Sequence, residues 1–121
     1  MAGNDRVVGL AGNDTLLGGV GNDTLDGSIG DDQIFSGQGS DIAIGGKGRD
    51  RFALDRGAGR DTIRDFSDRQ DRLGLSKSLT FGKLDVIQQG RNTLIRVGND
   101  PLALLIGVQA NRITAADFTR V

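Results

Sequence analysis

Apolar residues in the first half of the chain recur with a period of nine. Val7, Leu16, Leu25, Ile34, Ala43 and Phe52 mark the same position of six successive units. No 3.6-residue spacing of the kind that builds an amphipathic helix is sustained. Two residues before each apolar position stands an aspartate: Asp5, Asp14, Asp23, Asp32, Asp41 and Asp50. Two residues earlier again stands a glycine: Gly3, Gly12, Gly21, Gly30, Gly39 and Gly48. The unit is Gly-Gly-x-Gly-x-Asp-x-apolar-x, an internal repeat that decides the architecture. Residues 18–26 and 45–53 match it in full. Leu10 and Ser28 replace the second glycine in two copies, and Ser36 replaces the first in another. The first copy lacks its leading glycines, as expected of a piece of something longer.

Six residues of each unit read as a glycine-rich turn and three as a short strand. Two units make one coil, so repeat n stacks on repeat n+2 at the strand spacing of about 4.8 Å. Alternation then points Val7, Leu25 and Ala43 inward from one sheet, and Leu16, Ile34 and Phe52 inward from the other. The expected fold is all-β: a parallel β-roll, a right-handed β-solenoid. Its interior is thin. At roughly 1.5–3 kcal/mol per buried large side chain, it does not offset the ordering of so glycine-rich a backbone. Outward positions form two apolar stripes, Leu17, Phe35 and Ala53 on one face and Val8, Ile42 and Ile44 on the other. Either the C-terminal region covers one stripe, the reading favoured, or a stripe is a docking face for a partner or parent enzyme.

The period breaks after residue 53. Residues 59–63 form a further half-repeat, with Asp61 eleven residues after Asp50. A hairpin is predicted from residues 84–88 and 93–97 around Gly90, followed by a turn at Asn99-Asp100-Pro101 and a buried strand over 102–108. Thr114 to Phe118 reads as one capped helical turn. The expected organisation is a roll over 1–53 and, over 54–121, an antiparallel β-meander that caps it and carries a secretion signal; solenoids need such caps.

Composition sharpens this. The chain has 20 glycines, and all 16 acidic residues are aspartate. Without cysteine there is neither a disulfide nor a thiolate site to reinforce a thin core, which leaves bound metal as the substitute. Residues 1–50 set eight Asp against Arg6, Lys47 and Arg49, whereas the remainder sets eight Asp against twelve Lys and Arg. The absence of glutamate excludes an EF-hand, and no Gly-Lys-Ser/Thr ending supports a phosphate loop. With no His, Cys, Tyr or Glu, catalysis has little to stand on, and the chain is expected to be non-enzymatic. Between Arg49 and Arg72, seven Arg interleave with six Asp. That stretch reads as surface ion pairing along a cap, or as a face for an acidic glycan centred on Arg60, Arg64 and Arg69. Nucleic acid is not expected, because the chain has no Trp or Tyr on which bases could stack. No cleavable signal peptide and no transmembrane run are legible, so any export address is expected elsewhere.

Stacking sets the aspartates of alternate repeats face to face, and calcium takes six to eight oxygens of the kind they carry. The expected pairs are Asp5 with Asp23, Asp23 with Asp41, Asp14 with Asp32 and Asp32 with Asp50, giving four ions. A fifth pairs Asp41 with Asp61. Without metal, two carboxylates about 5 Å apart repel by roughly 3 kcal/mol at an effective dielectric of 20. Metal binding and folding of residues 1–53 are therefore expected as one event, at the roughly 0.1–1 mM calcium typical of extracellular modules. Asp26 and Asp31 lie off this register and read as solvated turn residues; Asp65, Asp68 and Asp71 form either a further cluster or turns, turns being favoured.

These nonapeptides resemble the RTX family, the haemolysin-type calcium-binding repeats of secreted toxins, proteases and lipases. The resemblance is strong over residues 2–53 and looser over 59–66. It implies that loop carbonyls of the first four repeat positions join the aspartates as ligands, among them those of Gly3, Gly12, Gly18, Gly19, Gly21, Gly27, Gly30, Gly39, Gly45 and Gly48. It also implies export through a type I secretion apparatus steered by an uncleaved C-terminal signal. Residues 116–121 are similar to such an ending, with Thr119 and Arg120 departing from a purely apolar terminus. The resulting expectation is a C-terminal folding and secretion domain of a secreted, extracellular toxin or enzyme, with a calcium-dependent adhesion or glycan-binding module as the alternative.

Overall fold

The computed structural model describes residues 3–67, 70–77 and 79–120. Asp68 and Arg69 lie outside the described residues. Each repeat yields one three- or four-residue strand: β1 (Arg6–Val8), β2 (Thr15–Leu17), β3 (Thr24–Asp26), β4 (Gln33–Phe35), β5 (Ile42–Ile44) and β6 (Arg51–Leu54). The series continues through β7 (Asp61–Ile63) and β8 (Arg72–Leu75). Then come β9 (Asp85–Gln89), β10 (Asn92–Val97), β11 (Asp100–Leu105) and β12 (Phe118–Arg120).

Odd and even repeats separate into two sheets, ordered β1-β3-β5-β7-β11-β10-β9 and β12-β8-β6-β4-β2. The repeat strands pair in parallel with an offset of two units: Val7 faces Leu25, Leu25 faces Ala43, Leu16 faces Ile34 and Ile34 faces Phe52. The expected parallel β-roll is the observed fold. Every second side chain points inward, so Leu16, Leu25, Ile34, Ala43 and Phe52 are buried, while Val7 in the first coil is only partly covered.

Two turn positions need a left-handed backbone. At the fourth position the glycines have φ between 93° and 123° in the first six units. A Cβ on Gly30 would sit 2.1 Å from the Gly12 carbonyl oxygen, so coils this close admit only glycine there. The second position is less strict: Leu10 and Ser28 hold φ of 66° and 65°, each at a cost of about 1–2 kcal/mol.

The C-terminal residues extend both sheets edgewise. β11 lies parallel to β7, with Leu105 beside Ile63, and β10 and β9 follow antiparallel. β12 lies parallel to β8, with Phe118 beside Leu73. The predicted hairpin forms around Gly90, at φ 62°. The predicted turn at Asn99-Asp100-Pro101 is displaced, because Asp100 and Pro101 already belong to β11. Proline has no N–H for the ladder, and the β10–β11 register shifts between Ile95 and Arg96, opposite it. The buried strand ends at Leu105 instead of Val108. Thr114 and Asp117 form a capping box on the 3₁₀ turn Ala115–Asp117.

The favoured covering of an outer stripe is not what the structure shows. Strands added at a sheet edge do not lie across its face, and Leu17 stays 62% exposed and Val8 42%. Among the described residues, no helix is long and apolar enough to cross a membrane.

Candidate metal centres

The aspartates of the repeats stand in two columns. Asp5, Asp23 and Asp41 form one, and Asp14, Asp32 and Asp50 the other. Within each column, one carboxylate oxygen is fixed by the backbone N–H of the preceding coil. Asp5 N–H donates to Asp23 Oδ1 at 2.8 Å, Asp23 N–H to Asp41 Oδ1 at 2.7 Å, Asp14 N–H to Asp32 Oδ1 at 2.8 Å and Asp32 N–H to Asp50 Oδ1 at 3.0 Å. The sequence-derived pairs are thus brought together.

The other oxygen is left without a donor. Oδ2 of Asp5, Asp14, Asp23, Asp32, Asp41 and Asp50, and Oδ1 of Asp61, are buried and accept no hydrogen bond. Asp23, Asp32 and Asp41 are 1% exposed. A buried acceptor without a partner costs about 1–3 kcal/mol, more when charged. Seven of them in two rows call for a positive group.

The surroundings fit a hard cation. Asp23 Oδ2 and the Ser36 carbonyl oxygen converge on Gly18, 3.1 and 2.4 Å from where its Cβ would be. Asp32 Oδ2 and the Gly45 carbonyl converge likewise on Gly27, and Asp14 Oδ2 and the Gly27 carbonyl on Gly9. Asp50 Oδ2 faces Gly45. Any side chain at these first-position glycines would fill the space between carboxylate and carbonyl. Among the described residues no group of three acidic side chains converges; an ion here would rest on few carboxylates completed by main-chain oxygens, a donor set suited to calcium.

The other glycines serve the stacking. Gly21, Gly30, Gly39 and Gly48 pack over the carbonyls of Gly3, Gly12, Gly21 and Gly30, and Gly37 packs over that of Gly19. A second ladder runs outside: Asn22 N–H donates to Asn4 Oδ1, Asp31 N–H to Asn13 Oδ1 and Arg49 N–H to Asp31 Oδ1. Asp31 is exposed, and Asp26 bonds the Ser28 N–H in its own turn.

Sequence reasoning missed the end of the second column. Asp71, favoured as a turn residue, is 2% exposed and continues the second column, accepting the Asp50 N–H at 2.9 Å and the Ser67 N–H at 2.8 Å. The signal was Asp71-Arg72-Leu73, an Asp-x-apolar triplet hidden by a three-residue insertion. Asp65 grips the N–H groups of Gly45 and Gly46, both at 2.8 Å. Gly9 and the Ser36 carbonyl were also missed; both occupy the first repeat position and were legible there.

Electrostatics agree with metal-free columns short of positive charge. Burial, and then the Asp41 charge, push the Asp61 carboxyl up to about 8. Burial pushes Asp50 up to about 7 against the Asp32 N–H that holds it down, with Asp71, Asp32 and Asp65 adding repulsion. Asp41 and Asp71 are raised as well, burial again leading.

A parallel roll carrying two such columns defines a metal-binding β-roll. Residues 1–34, 17–52 and 26–63 match the RTX calcium-binding nonapeptide repeat (4 copies). These segments take in more than half of the chain, which therefore belongs to this family, whose repeats bind calcium. No curated protein matches the chain in sequence. Among solved structures, the fold is similar to the extracellular lipase LipA from Serratia marcescens, with a TM-score of 0.79 at 23% identity over 98% of this chain. It is also similar to the AlgE6R3 and AlgE6R2 subunits of the Azotobacter vinelandii mannuronan C5-epimerase, with TM-scores of 0.71 and 0.75, each at 26% identity. Those matches take in 97% and 99% of this chain and 78% and 90% of the subunits. The chain spans 20% of the lipase.

Proposed function

We propose that the chain is a non-catalytic, calcium-gated folding module of an exported protein. The observation that carries this reading is the set of seven buried carboxylate oxygens without donors. Asp5, Asp14, Asp23, Asp32, Asp41, Asp50 and Asp61 would hold about four to five ions, with the carbonyls of the glycine-rich turns as further ligands. Bound calcium supplies the positive charge the columns lack. The backbone N–H groups orient each carboxylate, and the first-position glycines keep the space beside it open. Inside a cell with submicromolar calcium, the columns would stay uncompensated and residues 1–53 unfolded, a state that a type I secretion channel can pass. Residues 54–121 would close the sheets and carry the export signal. The family membership and the extracellular lipase that shares the fold support the secreted location.

Two measurements test the two halves. Calcium titrated into the metal-free chain, with magnesium as control, should produce a cooperative gain of β signal in far-UV circular dichroism near millimolar calcium. A chain fully folded in chelator overturns gated folding. Export of a passenger fused to the chain should stop when residues 54–121 are deleted, and unchanged export removes the secretion role.

A further inference from the structure

The two columns of carboxylates end differently. In the first, Asp61 is buried and keeps Oδ1 without a donor. In the second, stacking runs on past Asp50 in the same register: Arg72 N–H donates to the Asp50 carbonyl at 2.8 Å, as Arg51 N–H does to that of Asp32 and Gln33 N–H to that of Asp14. Asp71 accepts the Asp50 N–H on Oδ1, as Asp50 accepts that of Asp32. Its other oxygen breaks the pattern. Asp71 Oδ2 accepts the Ser67 N–H at 2.8 Å, and the Ser67 carbonyl accepts the Asp71 N–H at 2.9 Å. Asp71 is thus buried with both oxygens engaged, where Asp14, Asp32 and Asp50 each keep Oδ2 without a donor.

Main-chain oxygens change at the same step. Beside Gly9 and Gly27, the carboxylate of the unit meets a carbonyl of the next coil, that of Gly27 and that of Gly45. Beside Gly45, the Phe52 ring stands in that place, 2.9 Å from where a Cβ would be. Gly9 and Gly27 donate their N–H groups to the carbonyls of Asp26 and Ile44. Gly45 and Gly46 donate theirs to the two carboxylate oxygens of Asp65 instead. Calcium needs six to eight oxygens. Here the oxygens of Asp65 and Asp71 face N–H groups, and an apolar ring stands where a carbonyl would help complete the shell.

We propose that the second column ends without metal: no ion lies between Asp50 and Asp71, and Asp65 and Asp71 hold the last coil on the roll by accepting backbone N–H groups. Each carboxylate there meets two donors, and hydrogen bonds to a charged acceptor are roughly twice as strong as neutral ones. Asp50 Oδ2 takes its cation from the Asp32 side alone, whereas the first column closes on an ion between Asp41 and Asp61. Asp65 and Asp71 are positioning residues, and both lie beyond residue 63, where the match to the family repeat stops. This unequal ending presupposes the calcium reading of the columns, and the two fail in different ways.

The test counts ions per chain by native mass spectrometry in saturating calcium. It also follows urea unfolding at two calcium concentrations above the folding midpoint, for the full chain and for Asp71→Asn, Asp65→Asn and Asp61→Asn. Asp71→Asn should keep the wild-type number of ions and lower the folding constant about tenfold. The factor should be the same at both concentrations, because a residue that binds no ion is not linked to calcium. Asp65→Asn should behave alike, and it decides the question if Asp71→Asn does not fold. Asp61→Asn should lose one ion and fall further behind the wild type as calcium rises. An ion lost from Asp71→Asn or Asp65→Asn, or a deficit in either that grows with calcium, places metal at the end of the second column and overturns the proposal. So does wild-type stability in both, since the N–H contacts would then hold nothing, or an Asp61→Asn that keeps every ion. A wild-type chain that binds no ion overturns the calcium reading and the unequal ending with it, an outcome distinct from loss of an ion in Asp71→Asn alone.

Discussion

The backbone N–H of Asp23 donates to Oδ1 of Asp41 at 2.7 Å, while Oδ2 of both residues is buried without a donor. One oxygen is therefore spent on stacking the coils and the other is held for a cation. The substitution Asp41→Asn separates the two roles, because an amide keeps the acceptor and removes the charge. It should raise the calcium midpoint of folding about tenfold or more and increase the β signal in chelator. Circular dichroism titration of both proteins checks this, and an unchanged midpoint would remove Asp41 from the ligand set.

Turn chemistry gives a prediction with two signs. Gly30→Ala places a Cβ 2.1 Å from the Gly12 carbonyl oxygen at a φ of 123°. It should cost more than about 2 kcal/mol in calcium, because backbone would have to move. Ser28→Gly relieves a left-handed residue at φ 65° and should stabilise by up to about 1 kcal/mol. Urea unfolding of the calcium-loaded proteins measures both, and a tolerated Gly30→Ala would mean that the coils are not so closely stacked.

Acidity should act on the metal-free chain opposite to its usual effect on paired carboxylates. Asp61 and Asp50 are raised from 3.8 to about 8 and about 7, mainly by burial. Between these values the folded chain holds more protons than the unfolded one, so folding is favoured as pH falls and lost as pH rises. In chelator, the β signal should grow from pH 8 to pH 5. Calcium must displace the same protons, so calcium affinity should rise over that range in the other direction. A chelator β signal that increases with pH would contradict the burial of these carboxyls.

The thin core leaves little redundancy. Phe52 is 2% exposed and its ring lies 6.3 Å from that of Phe66. Phe52→Ala should cost about 3–5 kcal/mol, and Leu17→Ala, at an outward position 62% exposed, less than about 0.5 kcal/mol. Chemical unfolding in saturating calcium distinguishes them. Equal effects would mean that the outer stripe is covered in solution.

The period of nine determined most of the roll by itself. It placed Leu16, Ile34 and Phe52 inside one sheet and Leu25 and Ala43 inside the other, and it paired the aspartates at intervals of eighteen. A strict repeat makes this possible, since identical units can stack only in one register without breaking either the core or the glycine contacts. Where the repeat lapses, sequence spacing no longer reports spatial spacing. The insertions before Asp61 and Asp71 hid the end of the second column. The reading of residues 54–121 stacked Asp61 on Asp41 but missed that β8, β11 and β12 also prolong the parallel sheets. Only the tertiary structure decided which carboxylate oxygen is satisfied and which is orphaned, and that Arg51 stands beside Arg72. Both depend on contacts about twenty residues apart in the chain, formed by stacking coils that local sequence does not encode.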